Sequence, residues 1–154
     1  MQYGMKLFIR STAMNKKLEN SLLIVWIVSF TATLGSLYFS DIRGYEPCKL
    51  CWYQRILMYP LVIMTTIAYI QKNARIAIYT AVFACIGGCM SLYHYGIQKM
   101  SFLADSAPAC GRVPCTGAYI NWAGFITIPF LALTAFILIA AFSFYMIKVL
   151  KEEK

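Results

Sequence analysis

Four apolar runs alternate along the chain with short polar or charged stretches. The first, Ser21 to Phe39, holds 19 residues without a charge, about what a helix needs to cross the hydrocarbon core of a bilayer. The second runs from Trp52 to Ile70, with Pro60 inside it as an expected kink. The third covers Ile76 to Tyr95, and the fourth covers residues 125–147 and includes Pro129. Backbone N–H and C=O groups in lipid must be satisfied within their own segment, so each run predicts a helix. The expected fold is an all-α membrane protein: one domain over residues 1–154, built as a four-transmembrane-helix bundle. The first run is longer than the apolar core of a secretory signal and more spans follow, so it reads as a retained helix. Met14 opens MNKKLEN and is an alternative start.

Composition sharpens this picture. Hydrophobic residues make up 60% of the chain and charged residues 13%, more apolar surface than a soluble domain of this size can bury. The net charge of +8 raises a nucleic-acid partner as a possibility. The charges, however, cluster at the ends of the apolar runs, which is the mark of membrane orientation, so no nucleic acid is expected. With four spans both termini share one side. That side carries nine Lys and Arg, at the N-terminus, the Lys72–Arg75 turn and the tail; the other carries five, Arg43, Lys49, Arg55, Lys99 and Arg112. The positive-inside rule then places both termini in the cytoplasm of a plasma-membrane protein. The two loops with paired cysteines face outward, where disulfides persist.

The candidate chemistry starts in the stretch EPCKLCWYQR, Glu46 to Arg55. Its Cys48 and Cys51 form a Cys-x-x-Cys pair where a polar loop gives way to an apolar helix. A disulfide needs Cα atoms roughly 4.4–6.8 Å apart, which two intervening residues at a helix start supply. The unpaired amides and positive dipole end of a first helical turn stabilise a thiolate. Pro47 suits a helix entry, and Arg55 shares the helical face of Cys51 and adds positive charge. A structural disulfide, or half of a zinc site, would use the same residues.

A second pair, Cys110 and Cys115 in CGRVPC, lies in a long outward loop with Gly111 and Pro114 suited to a turn. Alone it would read as a staple. Beside a helix-start Cys-x-x-Cys, a relay of two disulfides becomes the better reading, one pair meeting a soluble partner and the other held at the membrane. Zinc bound by all four cysteines is disfavoured by the oxidising side and the second spacing, so no metal is expected. A relay needs an acceptor, and in a membrane the available two-electron carrier is a quinone. His94 and Gln98 are four apart at the outer end of the third span, at the depth of Arg55, and their donors can hold a quinone carbonyl. A helix-end His at the interface with a solvated Gln is the plainer alternative. Cys85 and Cys89, in CIGGC, read as structural, with Gly87 and Gly88 allowing close helix packing.

These residues resemble a known family. EPCKLCWYQR, the later HYGIQ and the outward loop with its second cysteine pair are similar to the disulfide-bond formation protein B (DsbB) family. LCWYQRILMYPL and VPCTGAYINWAGFITIPFLAL resemble its Gram-positive branch, the BdbC-type thiol-disulfide oxidoreductases. The likeness covers Leu34 to Phe136. It implies a four-helix membrane enzyme that reoxidises a DsbA-like (BdbD-like) extracytoplasmic thiol oxidase and passes the electrons to quinone. Carried over by position, Cys48 and Cys51 face the quinone, with Arg55, His94 and Gln98 around it. Cys110 and Cys115 take the place of the pair that meets the partner, although proteobacterial members space that pair far more widely. The branch implies menaquinone. Two alternatives stand beside this reading: an enzyme like vitamin K epoxide reductase, whose active pair is expected later in the bundle, and a structural membrane protein stapled by two disulfides.

Overall fold

A computed structural model describes residues 14–100, 115 and 125–152. Over them the chain forms four long helices: α1 (Lys16–Leu37), α2 (Lys49–Ile70), α3 (Ala77–Lys99) and α4 (Ile128–Glu152). Local chemistry sets their ends. The Asn15 side chain accepts a hydrogen bond from the Lys17 amide at 3.3 Å and caps α1. At its far end α1 loosens into one π-helical turn, Tyr38–Ile42. The chain then reverses at Gly44, whose φ of +68° is open to glycine at little cost. The Tyr45 amide donates to the Phe39 carbonyl at 3.0 Å, and the two rings stack at 6.3 Å. This folds the loop back over the end of α1 and delivers Pro47 and Cys48 to the start of α2.

α2 is continuous through Pro60. It ends at Ile70, and just past the cap Lys72 enters the left-handed region at φ 50°, with the Asn73 amide donating back to the Ala68 carbonyl at 2.9 Å. The Asn73 side chain then accepts from the Arg75 amide and starts a 3₁₀ turn, Ala74–Ile76, that leads into α3. The turn expected between Lys72 and Arg75 is therefore closed by the asparagine between them.

α1 packs on α2 and α4, and α3 packs on the same two helices. The four close a ring in chain order around a core that includes Leu22, Val25, Leu61, Phe136, Ile139 and Met146. In lipid, apolar burial does little to drive helices together; close approach and hydrogen bonds do. Both are present. A Cβ on Gly87 would run into the Phe136 ring, whereas one on Gly88 would meet Phe136 at an ordinary 3.8 Å, so only the first glycine marks the close approach. The Thr80 and Ser143 hydroxyls join α3 to α4 at 2.7 Å, and the Trp26 indole donates to the Thr66 hydroxyl at 2.7 Å, joining α1 to α2.

The outward faces carry Ile27, Ile63, Ile70, Val82, Ile137 and Phe144, all exposed. A four-helix bundle with an apolar exterior is an integral, multi-pass membrane protein. Among the described residues, α1 with its π turn, α3 with its 3₁₀ turn, and α4 are each long and apolar enough to cross a bilayer. α2 matches them in length but carries Lys49, Gln54 and Arg55 near its start. Two of the polar residues that dilute it, Gln54 and Arg55, line the site.

Candidate dithiol site

Cys48 is the N-cap of α2, with extended backbone (φ −69°, ψ 169°), and Cys51 is the third helical residue. The extended residue swings its side chain back over the first turn, and the two sulfurs come within 3.3 Å. Both are free thiols. At that distance one sulfur can ionise while the other keeps the shared proton. The hydrogen bond with Cys51 is the largest influence on Cys48, burial opposes it, and the His94 ring adds to it. Together they lower the Cys48 pKa from 9.0 to about 4.

His94 descends from α3 and is 1% exposed, so it is not a helix-end residue at the interface. Its Nε2 lies 3.6 Å from the Cys48 sulfur, and its Nδ1 lies 3.3 Å from Nε2 of Gln54. Gln54 is itself 5% exposed. Nothing in the motif singled it out, yet a signal was present. The buried residues of α2 run Leu50, Gln54, Met58, Leu61, Thr65 and Ala68, at helical spacing, and Gln54 is the one amide on that stripe. A buried amide needs a partner, and His94 is it.

Arg55 is one turn beyond Cys51. Its Nη2 donates to the Ser36 carbonyl at 3.0 Å, and its guanidinium lies 5.5 Å from the centre of the Trp52 ring. The charge thus ties the start of α2 to the end of α1 while still lining the cavity beside the cysteines. That cavity has a volume of about 520 Å³, within the roughly 300–1,000 Å³ usual for small-molecule sites. Cys48, Cys51, Gln54, Arg55, His94 and Gln98 form its polar end. Apolar residues of α1 and α4, among them Ile27, Val28, Leu131 and Leu138, form its walls.

Cys115 is 2% exposed and held in a disulfide. It packs in one small cluster with Cys48, Leu50, Ile97 and Cys51, so a cysteine of the second loop shares the packing of the helix-start pair. Cys110 lies outside the described residues. Cys85 and Cys89 are free, exposed on the outer face of α3, and apart from this cluster. The donor atoms of Cys48, Cys51 and His94 fall within 4.8 Å of one another, a set by type suited to a soft cation.

Residues 19–146 match the family described as Disulfide bond formation protein DsbB. The chain belongs to the DsbB family. Its relatives include a "Probable disulfide formation protein C" of Halalkalibacterium halodurans, 60% identical over 88% of this chain and 98% of the relative. A protein of the same name in Bacillus cereus is 61% identical over 86% of this chain and 96% of the relative. The "Disulfide bond formation protein C" of Bacillus subtilis is 56% identical over 76% of this chain and 85% of the relative. This likeness is to the BdbC-type branch that the sequence resembles. No solved structure matches the chain.

Proposed function

We propose that this DsbB-family protein is a protein-dithiol:quinone oxidoreductase, which reoxidises a DsbA-like extracytoplasmic protein and reduces a membrane quinone, menaquinone on the pattern of its branch. The observation that carries the reading is the cavity whose polar end is the Cys48–Cys51 dithiol and whose walls are apolar. A dithiol that only stapled the fold would not require an adjoining apolar chamber with donors at one end. The residues fit a quinone: Arg55 and Gln98 line the end where a carbonyl would receive hydrogen bonds, His94 lines it beside Cys48, and the α1 and α4 side chains fit an apolar ring and tail. When bound, the quinone accepts two electrons and two protons. The chain's part is to deliver them from two thiols, which leave as one disulfide.

Upstream, the partner's two thiols reduce the Cys110–Cys115 disulfide by exchange, becoming a disulfide themselves. The loop thiols then reduce Cys48–Cys51 through a mixed disulfide, and that pair is reoxidised in turn. Cys115 in one packing cluster with Cys48 and Cys51 supports transfer between the two pairs. The bundle end bearing Lys16, Lys17, Lys72, Arg75, Lys148 and Lys151 is assigned to the cytoplasm, and the cysteine end to the outer face.

The test supplies purified protein with quinone and either a reduced DsbA-like protein or a small dithiol as donor, and follows quinol formation. Wild type turns over with both. Replacing Cys110 and Cys115 together stops turnover with the protein donor and spares part of the turnover with the small dithiol. Wild-type rates with the protein donor in that double variant would make the loop pair a staple and sink the relay.

A further inference from the structure

Gln54 has no part in the steps above, yet it completes the surroundings of the dithiol. It sits three residues beyond Cys51 on the buried stripe of α2, and its amide nitrogen is 3.3 Å from Nδ1 of His94. An amide nitrogen donates and has no lone pair to offer. The ring nitrogen facing it is therefore the acceptor, and the ring proton belongs on Nε2, the atom 3.6 Å from the Cys48 sulfur. The opposite tautomer would set N–H against N–H at Gln54 and, once Cys48 is a thiolate, a lone pair against the charged sulfur. Such mismatches are costly where His94 is 1% and Gln54 5% exposed, because water is not at hand to relieve them.

We propose that Gln54 is a positioning residue of the dithiol site: its amide holds the His94 ring proton on Nε2, so that His94 meets Cys48 as a hydrogen-bond donor and not as a proton acceptor. The proton lost when Cys48 ionises then goes to solvent water and not to His94; the ring stabilises the charge left behind. The alternative is a flipped amide, with the Gln54 carbonyl accepting from Nδ1–H. It would leave Nε2 bare and make His94 a base toward the thiol. The two arrangements use the same heavy-atom positions and differ in the direction of proton traffic. The inference rests on Cys48–Cys51 being the working pair.

His94 is the one histidine in the chain, so nitrogen-15-labelled histidine reports on this ring alone, given a purification tag free of histidine. Reduced protein in detergent micelles at neutral pH, with no quinone added, is expected to show a protonated Nε2 and a pyridine-like Nδ1 by long-range proton–nitrogen NMR. Gln54→Leu should release the ring into a mixture of tautomers. Gln54→Glu, an acceptor, should draw a proton onto Nδ1. A wild-type ring protonated on Nδ1 overturns the proposal, as does a folded Gln54→Leu variant with the wild-type tautomer ratio. The wild-type spectrum decides even if the variants do not fold. Quinone turnover is measured separately, so failure of the tautomer assignment and failure of the redox reading are distinguishable.

Discussion

Two pairs of free cysteines lie in this bundle at nearly the same spacing, and only one of them forms a site. Cys48 and Cys51 bracket the first turn of α2, buried or half-buried, with sulfurs 3.3 Å apart and His94 at hand. Cys85 and Cys89 lie in mid-α3, both exposed on the side that meets lipid. The spacing hardly differs; the backbone does. A Cys-x-x-Cys whose first member is an extended N-cap can fold its sulfur over the turn, next to unpaired amides and the positive end of the helix dipole. Four residues apart within a regular helix, two side chains project outward along one face, with every amide nearby already bonded along the helix. What sets Cys48 and Cys51 apart is the helix terminus and the histidine brought to it from another helix.

The sharpest way to break this contrast is to remove the pairs separately. Cys51→Ser should lower quinone reduction by about three orders of magnitude or more, as loss of a residue that reacts covalently does. Replacing Cys85 and Cys89 together with Ala should leave the rate within about twofold, because neither touches the cavity. Loss of turnover in the second variant, with the helical signal intact, would mean that the lipid-facing pair takes part.

Acid titration sharpens the comparison next. Cys48 is lowered from 9.0 to about 4 in the fold, so its ionisation stabilises the folded, reduced state. The sign follows from the lowered value: that contribution is full above the ordinary thiol value and disappears as pH falls through about 4. Ultraviolet thiolate absorbance of a Cys85→Ala, Cys89→Ala protein should therefore persist through neutral pH and be lost in acid. His94→Phe should move that loss to higher pH, since the ring bond favours the charged sulfur. A midpoint in the ordinary thiol range in the parent protein would contradict the geometry of the pair.

The smallest effect concerns the residues between Cys85 and Cys89. Gly87→Ala should destabilise the bundle by about 1–3 kcal/mol by forcing Phe136 to move, an overpacking cost. Gly88→Ala should shift the thermal midpoint far less, since its Cβ finds room. Thermal unfolding in detergent separates the two. Equal shifts would mean that α3 and α4 can slide apart to admit either methyl. In CIGGC it is the first glycine, more than the cysteines around it, that the packing constrains.

Much of the molecule was written into its order of residues. Four apolar runs dictate helices and a membrane setting, because unsatisfied backbone in lipid is too costly to allow anything else. Pro47, Cys48 and Cys51 at the junction of loop and run mark a helix start, and the local amides favour a thiolate whatever the rest of the chain does. The alignment of Arg55 behind Cys51 was equally local. What the order of residues left open were the meetings between helices. Whether His94 faced water or sulfur depended on the rotation of α3, which approaches α4 closely at Gly87 and Phe136. Gln54 stood out as an amide on the buried stripe of α2, but its partner, forty residues away on α3, was not legible along the chain. Arg55 could be placed near the pair by helical periodicity, but its bond to the Ser36 carbonyl required the π turn and Gly44 to bring α1 and α2 side by side. Helical periodicity acts over a few residues and can be read along the chain, whereas the pairing of a buried donor with a buried acceptor depends on how whole helices rotate and approach, and only the packed bundle decides that.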